Sequence, residues 1–437
     1  MSDANFVIVD PSLRDFRGHH YMLSDLASRS AERAGMRVTW LVADPTSQIP
    51  KRENVSITPW FSMSMYDAYK PTTPNRKERG LLARLASFLS DGESRRGGAP
   101  DPADVIKPEL QRAFTRFRDD DRRTRFFAHT ADGAIYRALG ALADEIASNQ
   151  DIIVHVCTPY DPVGVMPNRG PSKDIGPAIG RLAAARVIGR QVYFHAENPY
   201  LAAHLSALWK TPVGTLEIPF AASGRERAVA AIGELRDGLG IEKDAFVISS
   251  LGPARLEKGF DKLPDIIRAW RAKAQDASAP PVHFALHAAP QIIGRDPRIA
   301  KALETIRAEN DGSITLIEGT LSEGEYAALL DASDAVILPY DAEMYGVRSS
   351  GALAEALGAG KVIIARRGSY PARRIEPGAG ECAETPAEYA AAMLKIVSDA
   401  ASYRDAAAHA AARYARENSL DDYVKKIMRA EEMRSWE

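Results

Sequence analysis

Two short apolar runs, Ala335-Val336-Ile337-Leu338-Pro339 and Val362-Ile363-Ile364-Ala365, bracket a polar stretch. Apolar runs of this length, rich in β-branched residues, read as parallel strands buried on both faces. The stretch between them therefore reads as a loop, then a helix carrying Glu355, then a turn closed at Gly360. The loop is Tyr345-Gly346-Val347-Arg348-Ser349-Ser350-Gly351. A polar, Gly-containing loop at the carboxyl end of a strand, running into a helix N-terminus, is where an open α/β sheet takes anionic ligands. Backbone N–H groups of Ser349, Ser350 and Gly351 are candidates to face a phosphate, and Gly351 lets it approach closely. Glu355, about one turn on, is placed to accept from sugar or ribose hydroxyls.

A second constellation points the same way. Phe246 to Leu251 reads as a strand, followed by Gly252-Pro253-Ala254-Arg255-Leu256-Glu257-Lys258-Gly259-Phe260 and the opening of a helix. Arg255 supplies a planar fork of donors and Lys258 a compact point charge, a pair suited to a diphosphate. Either cation alone reads as a solvated surface charge. Both in one strand-to-helix loop, ahead of a second anion-type loop, favour the ligand.

Strand-like and helix-like segments alternate along the chain. Phe6 to Asp10, Val38 to Ala43, Ile152 to Val156 and Val192 to His195 are strand candidates in the first half. The second half gives Phe246 to Leu251, Val282 to His287, Ile314 to Ile317, Ala335 to Pro339 and Val362 to Ala365. The fold class expected is α/β, with two successive doubly wound parallel-sheet domains. A length of 437 residues exceeds what one core sustains and agrees with two domains. The boundaries expected are 1–219 and 220–405, with a helical tail over 406–437.

The region from about 71 to 125 shows no strand signal and is rich in Arg. Leu81 to Leu89 and Leu110 to Arg118 are both amphipathic. One reading is an acceptor-binding or membrane-surface element. The other is a helical excursion packed on the first domain. Asp119-Asp120-Asp121 favours the second, because it works against anionic lipid.

Net charge of −2 gives no sign of nucleic-acid binding. The two cysteines, Cys157 and Cys382, have no metal-ligand spacing and are expected to be buried, reduced thiols. Met1 to Asn5 lead straight into a strand with no basic and apolar leader, so a cytoplasmic protein is expected.

Gly252 to Phe260 resembles the Gly-Arg-Lys-Gly loop of GT-B glycosyltransferases similar to glycosyltransferase family 4. Leu338 to Ala356, with Gly360-Lys361, resembles that family's donor-binding segment. Gly18-His19-His20-Tyr21 resembles the loop that faces the donor. The resemblance implies a GT-B fold, two Rossmann-like domains facing a cleft, and a last helix returning to the N-terminal domain. It also implies transfer of a sugar from a nucleotide-diphosphate donor to a glycan or lipid-linked acceptor, with retention, in polysaccharide or glycoconjugate assembly. No cofactor or metal is implied, since such enzymes stabilise the leaving diphosphate with basic side chains and helix dipoles. A location at the inner membrane face is compatible with a lipid-linked acceptor. One position departs from the family pattern. Of its two glutamates, Glu355 matches the second, which contacts the ribose, while Val347 stands where the first contacts the sugar. Glu343 or Arg348 is a candidate substitute.

Under this resemblance Gly18, His19, Gly252, Arg255, Lys258, Arg348, Ser349, Ser350, Gly351 and Glu355 would bind the donor. His20, Asp161, Glu197, Glu343 and Tyr345 are candidates for substrate contacts. Arg255, Lys258 and His195 are the catalytic candidates, His195 as an exposed base at the end of its strand. Two alternatives stay open: a nucleotide-sugar-binding scaffold without transfer activity, and an inverting transferase or epimerase on the same scaffold.

Overall fold

A computed structural model describes residues 4–14, 18–44, 49–64, 101–118, 122–162, 174–220, 236–289 and 296–432. The chain divides into two units, Met1–Leu216 with Val424–Glu437, and Glu217–Tyr423.

The first unit holds a seven-stranded sheet. Its strands are β1 (Asn5–Asp10), β2 (Arg37–Ala43), β3 (Val55–Phe61), β4 (Thr124–Ala128), β5 (Ile152–Thr158), β6 (Val192–Ala196) and β7 (Val213–Thr215). They lie in the order β3-β2-β1-β4-β5-β6-β7, and every pairing is parallel. Strands β1, β4, β5 and β6 are buried along their whole length, as expected of a sheet covered on both faces. Helices Gly18–Arg33, Pro102–Arg118, Gly133–Ala141, Gly176–Ala184 and Pro199–Trp209 supply the covering. Asp132 and Asn198 start two of them by accepting backbone N–H groups with their side chains.

Two strand expectations need correction. β4 begins at Thr124, inside the region read as strandless. β3 carries no clear strand signal either, since Pro59 interrupts its apolar pattern; the strand pairs only with β2, and an edge tolerates Pro. The amphipathic stretch Leu110 to Arg118 is the second half of helix Pro102–Arg118, whose Ile106, Leu110, Ala113 and Phe114 enter the core. Leu81 to Leu89 and Asp119 to Asp121 lie outside the described residues.

The second unit holds a six-stranded parallel sheet. Its strands are β8 (Phe246–Ser250), β9 (Val282–His287), β10 (Ile314–Ile317), β11 (Ala335–Leu338), β12 (Val362–Arg366) and β13 (Gly380–Ala383). Their order is β10-β9-β8-β11-β12-β13. Apolar faces of helices Leu263–Ala277, Pro297–Ala308 and Pro386–Ser398 pack on it through Ile266, Trp270, Ile306 and Met393. Burial of each such side chain contributes about 1.5–3 kcal/mol. Helix Ala400–Glu417 belongs to this unit, and the residues that group with the first unit begin at Val424.

Both cysteines are free, but only Cys157 is buried. Cys382 is exposed on β13, an edge strand too short to bury both faces, which corrects the expectation of two buried thiols. Among the described residues no helix is long and apolar enough to cross a membrane.

Candidate functional site

In the second unit β8 lies between β9 and β11, so the strand order reverses between β8 and β11. The loops leaving such a pair part in opposite directions and open a crevice at their carboxyl ends. Those two loops carry the residues singled out in the sequence.

The β8 loop turns at Gly252, with φ at 99°. Its N–H donates to His287 Nδ1 at 3.2 Å. His287 Nε2 in turn donates to the Gly319 carbonyl at 3.0 Å, which fixes the tautomer. The chain then forms a short 3-10 turn, Leu256–Lys258, and bends at Gly259, with φ at 68°. A Cβ on Gly259 would stand 2.0 Å from the Pro339 carbonyl oxygen. The β8 loop thus passes directly against the start of the β11 loop. A backbone bond from Asp341 N–H to the Glu257 carbonyl, at 2.9 Å, joins them again.

This stitching gathers three cations. Lys258 Nζ lies 5.7 Å from the centroid of the buried Tyr340 ring, and the Arg348 guanidinium 5.1 Å from that of Tyr345. Arg255 lies 3.7 Å from Glu257. Loss of water pulls the half-buried Lys258 ammonium down to about 8; Arg255 and Arg348 add to this, and Glu257 and Glu355 oppose it. Arg255, Lys258, Arg348 and Glu355 therefore share one electrostatic site. Helix Gly351–Gly358 begins beside it, capped by Ser350, whose Oγ accepts the Leu353 N–H at 3.2 Å. Tyr340 OH lies 3.3 Å from the same Oγ. Ser349 and Gly351 flank this cap, and Glu355 lies one turn into the helix.

Two candidates in this unit take other places. Tyr345 is buried against Tyr340, ring centroids 4.4 Å apart, so it supports Arg348 with its face and does not present its hydroxyl as a substrate ligand. Glu343 is exposed on the turn that Asp341 closes by accepting its N–H at 3.0 Å. His287 was not foreseen as a site residue; its only signal is its place at the end of β9.

The first sheet reverses between β1 and β4. Asp10 ends β1, and Gly18 opens the following helix, which carries His19 and His20. His20 Nδ1 lies 2.8 Å from Asp10 Oδ2, and His129, just past β4, lies 3.3 Å from the same oxygen. His19 Nε2 is 3.3 Å from Glu197 Oε1, just past β6. Asp10 and His129 were missed, although a carboxylate closing an apolar strand ahead of a Gly-His-His loop is a readable signal. Asp161 pairs with His204 at 3.0 Å, at the surface.

His195 is not an exposed base. It is 3% exposed, and its Nε2 lies 3.0 Å from His155 Nδ1. Burial, then the neighbouring His155, pulls it down to about 3. His155 Nε2 lies 3.2 Å from Glu431, which also takes two bonds from Arg125 at 2.6 and 2.8 Å. His195 belongs to this internal ladder across β4, β5 and β6. Among the described residues no group of three or more His, Cys, Asp or Glu side chains could hold a metal ion.

No family model matches the chain, and no curated protein matches it significantly. Solved structures do match over nearly the whole length. Sucrose-phosphate synthase from Thermosynechococcus elongatus has a TM-score of 0.63 at 12% identity, covering 99% of each chain. Anabaena HepE in complex with UDP-glucose has a TM-score of 0.59 at 15% identity, covering 99% of this chain and 100% of that one. A UDP-forming trehalose-phosphate synthase from Burkholderia xenovorans has a TM-score of 0.63 at 12% identity, covering 98% and 99%. With two parallel-sheet α/β units, the fold is that of the GT-B glycosyltransferases.

Proposed function

We propose that this chain is a glycosyltransferase that takes its sugar from a nucleotide-diphosphate donor bound at the β8–β11 crevice. The observation that carries this reading is the convergence of Arg255, Lys258 and Arg348 beside a helix N-terminus and Glu355, where the strand order reverses. A diphosphate restores charge balance to a site that holds more cation than its carboxylates offset. As the bond from the anomeric carbon to the phosphate oxygen lengthens, negative charge grows on the diphosphate. Arg255, Lys258 and the amides at Ser349 to Gly351 are the groups assigned to receive it, and a donor set fixed before the charge develops favours the transition state over the ground state. In this role they replace a divalent cation. Glu355 accepts from the ribose hydroxyls.

HepE binds UDP-glucose, so a uridine diphosphate sugar is the first donor to test. The acceptor proposed is a glycan or a lipid-linked sugar, which would place the reaction in polysaccharide or glycoconjugate assembly. The test is a thermal-shift screen of nucleoside diphosphates and their sugars on wild type and Arg255→Ala. A shift with one base, reduced at least tenfold in apparent affinity by the substitution, supports the donor site. No shift with any nucleotide overturns it.

A further inference from the structure

Strand β9 carries two buried histidines, and they serve opposite ends of it. His283 lies at the amino end, 3% exposed, with its Nε2 2.8 Å from Thr315 Oγ1. His287, 5% exposed, closes the carboxyl end, where the loops of the donor site leave the sheet. β9 pairs with β8 on one side and with β10 on the other. Past its end the backbone still holds both flanking loops: Pro253 bridges to Ala289, and the Ala288 N–H donates to the Ile317 carbonyl at 2.8 Å. The His287 ring repeats that span with its side chain. The Gly252 N–H can only donate and the Gly319 carbonyl can only accept, so the ring that joins them is neutral, with its one proton on Nε2. A proton on Nδ1 would break the bond to Gly252. Burial pulls His287 below its ordinary value against the bond to Gly319, and the charge of Lys258 adds to the pull. The Gly252 turn, for its part, seats the Lys258 ammonium, which stands in the space that a side chain on Gly252 would fill.

We infer that His287 is a positioning residue of the diphosphate site: through Nδ1 it holds the Gly252 turn, and with that turn the place at which Lys258 meets phosphate. The inference rests on the donor reading above, and every residue it uses lies in the second unit. A backbone N–H left inside the protein without an acceptor is costly, so without Nδ1 the turn would reorient to find one. Lys258 would then lose its fixed seat and regain water. Holding the ammonium in place before the ligand arrives removes an ordering cost from binding. The bond from Nε2 to Gly319 stops the ring from rotating, so the acceptor stays aimed at Gly252. His283 makes the contrast. It is as deeply buried on the same strand, but its partner is a threonine hydroxyl at the far end from these loops.

The experiment uses the full chain and titrates it with uridine, guanosine and adenosine monophosphates and diphosphates by calorimetry. His287→Leu removes both ring nitrogens and should weaken diphosphate binding about tenfold, with most of the loss in the step from monophosphate to diphosphate. Its pH profile should also move. The weakening expected above about 8 in the wild type should shift up toward 10.5 as Lys258 regains water. His283→Leu should lower the melting temperature but leave affinity and pH profile as in the wild type. Two further variants decide the matter if His287→Leu does not fold. His287→Asn can set Oδ1 where Nδ1 accepts and should bind within about threefold of the wild type, whereas His287→Gln reaches toward Gly319 and should bind as weakly as His287→Leu. In 15N-histidine spectra the wild-type ring should be protonated on Nε2 alone. Unchanged diphosphate affinity or an unmoved pH profile in His287→Leu, equal affinities in the Asn and Gln variants, or a wild-type ring protonated on Nδ1 each overturns the positioning role and leaves the donor site standing. A wild type that binds no nucleotide overturns the donor reading itself, and this inference with it.

Discussion

A Cβ placed on Gly252 would lie 2.9 Å from Lys258 Nζ, so the ammonium occupies the space that a side chain there would need. Gly252→Ala should strain the backbone by about 1 kcal/mol, because φ is 99°, without unfolding the unit. The flexible lysine moves instead. Nucleotide affinity should drop about tenfold, or about 1.4 kcal/mol, by titration calorimetry. Unaltered affinity would show that this ammonium does not hold the phosphate.

Lys258 also gives the site a pH dependence. Its ammonium is pulled from 10.5 to about 8, first by loss of water and then by Arg255 and Arg348. Diphosphate binding needs the charge, so affinity should be highest below about 8 and weaken about tenfold above it. Native stability should move the other way. Between about 8 and 10.5 the unfolded chain holds this proton more tightly than the native one, so stability rises with pH. Lys258→Arg keeps its charge and should flatten the affinity profile. A profile equally steep in that variant assigns the titration to another group.

The crossing of the two donor loops can be tested through Gly259. A Cβ there meets Pro339 backbone at 2.0 and 2.8 Å, and backbone cannot swing aside as the Lys258 side chain can. Gly259→Ala should cost about 3 kcal/mol or more and abolish nucleotide binding. Gly240→Ala is the comparison, since φ is 67° but nothing lies within 4 Å of its Cβ. Only backbone strain of about 1 kcal/mol is expected there. Equal melting temperatures in the two variants would refute the close approach.

Glu431 predicts an acid-sensitive contribution to the first unit. Burial pushes its carboxyl up, but the hydrogen bonds and charges of His155 and Arg125 win and bring it down to about 2 from 4.5. A carboxyl held low stabilises the native state above its ordinary value, and that stability is lost as pH falls from about 4.5 toward about 2. Glu431→Gln should cost about 3 kcal/mol at neutral pH, because it leaves Arg125 buried without its counter-charge. Urea midpoints at neutral pH and at about pH 3 check this. The wild-type advantage should shrink at the lower pH.

The donor loops were legible in the sequence because their signal is local. Arg255 and Lys258 share one strand-to-helix turn, and Ser350-Gly351 precedes a helix between two apolar runs. Strands β4, β7 and β13 were hidden for physical reasons. β4 carries Arg125, which reads as a surface residue until its partner Glu431 is known. β7 has three residues, and β13 is Gly-Glu-Cys-Ala, with no alternation to read. His195 shows the same limit at the site. Its neighbours in the chain suggested an exposed strand end, while its burial is set by His155 on the adjacent strand and, through it, by Glu431. His129 required knowing that β1 and β4 are neighbours.

The ladder on β4 and β5 also bears on how the protein is made. Arg125 precedes its counter-ion Glu431 by 306 residues, and His155 precedes it by 276. At about 5–20 residues per second, Arg125 leaves the ribosome roughly 15–60 s before the carboxylate it needs. For that interval β4 carries a cation that the sheet cannot bury without penalty. The nascent first unit therefore lacks this counter-charge until the helix Leu420–Glu432 has been synthesised.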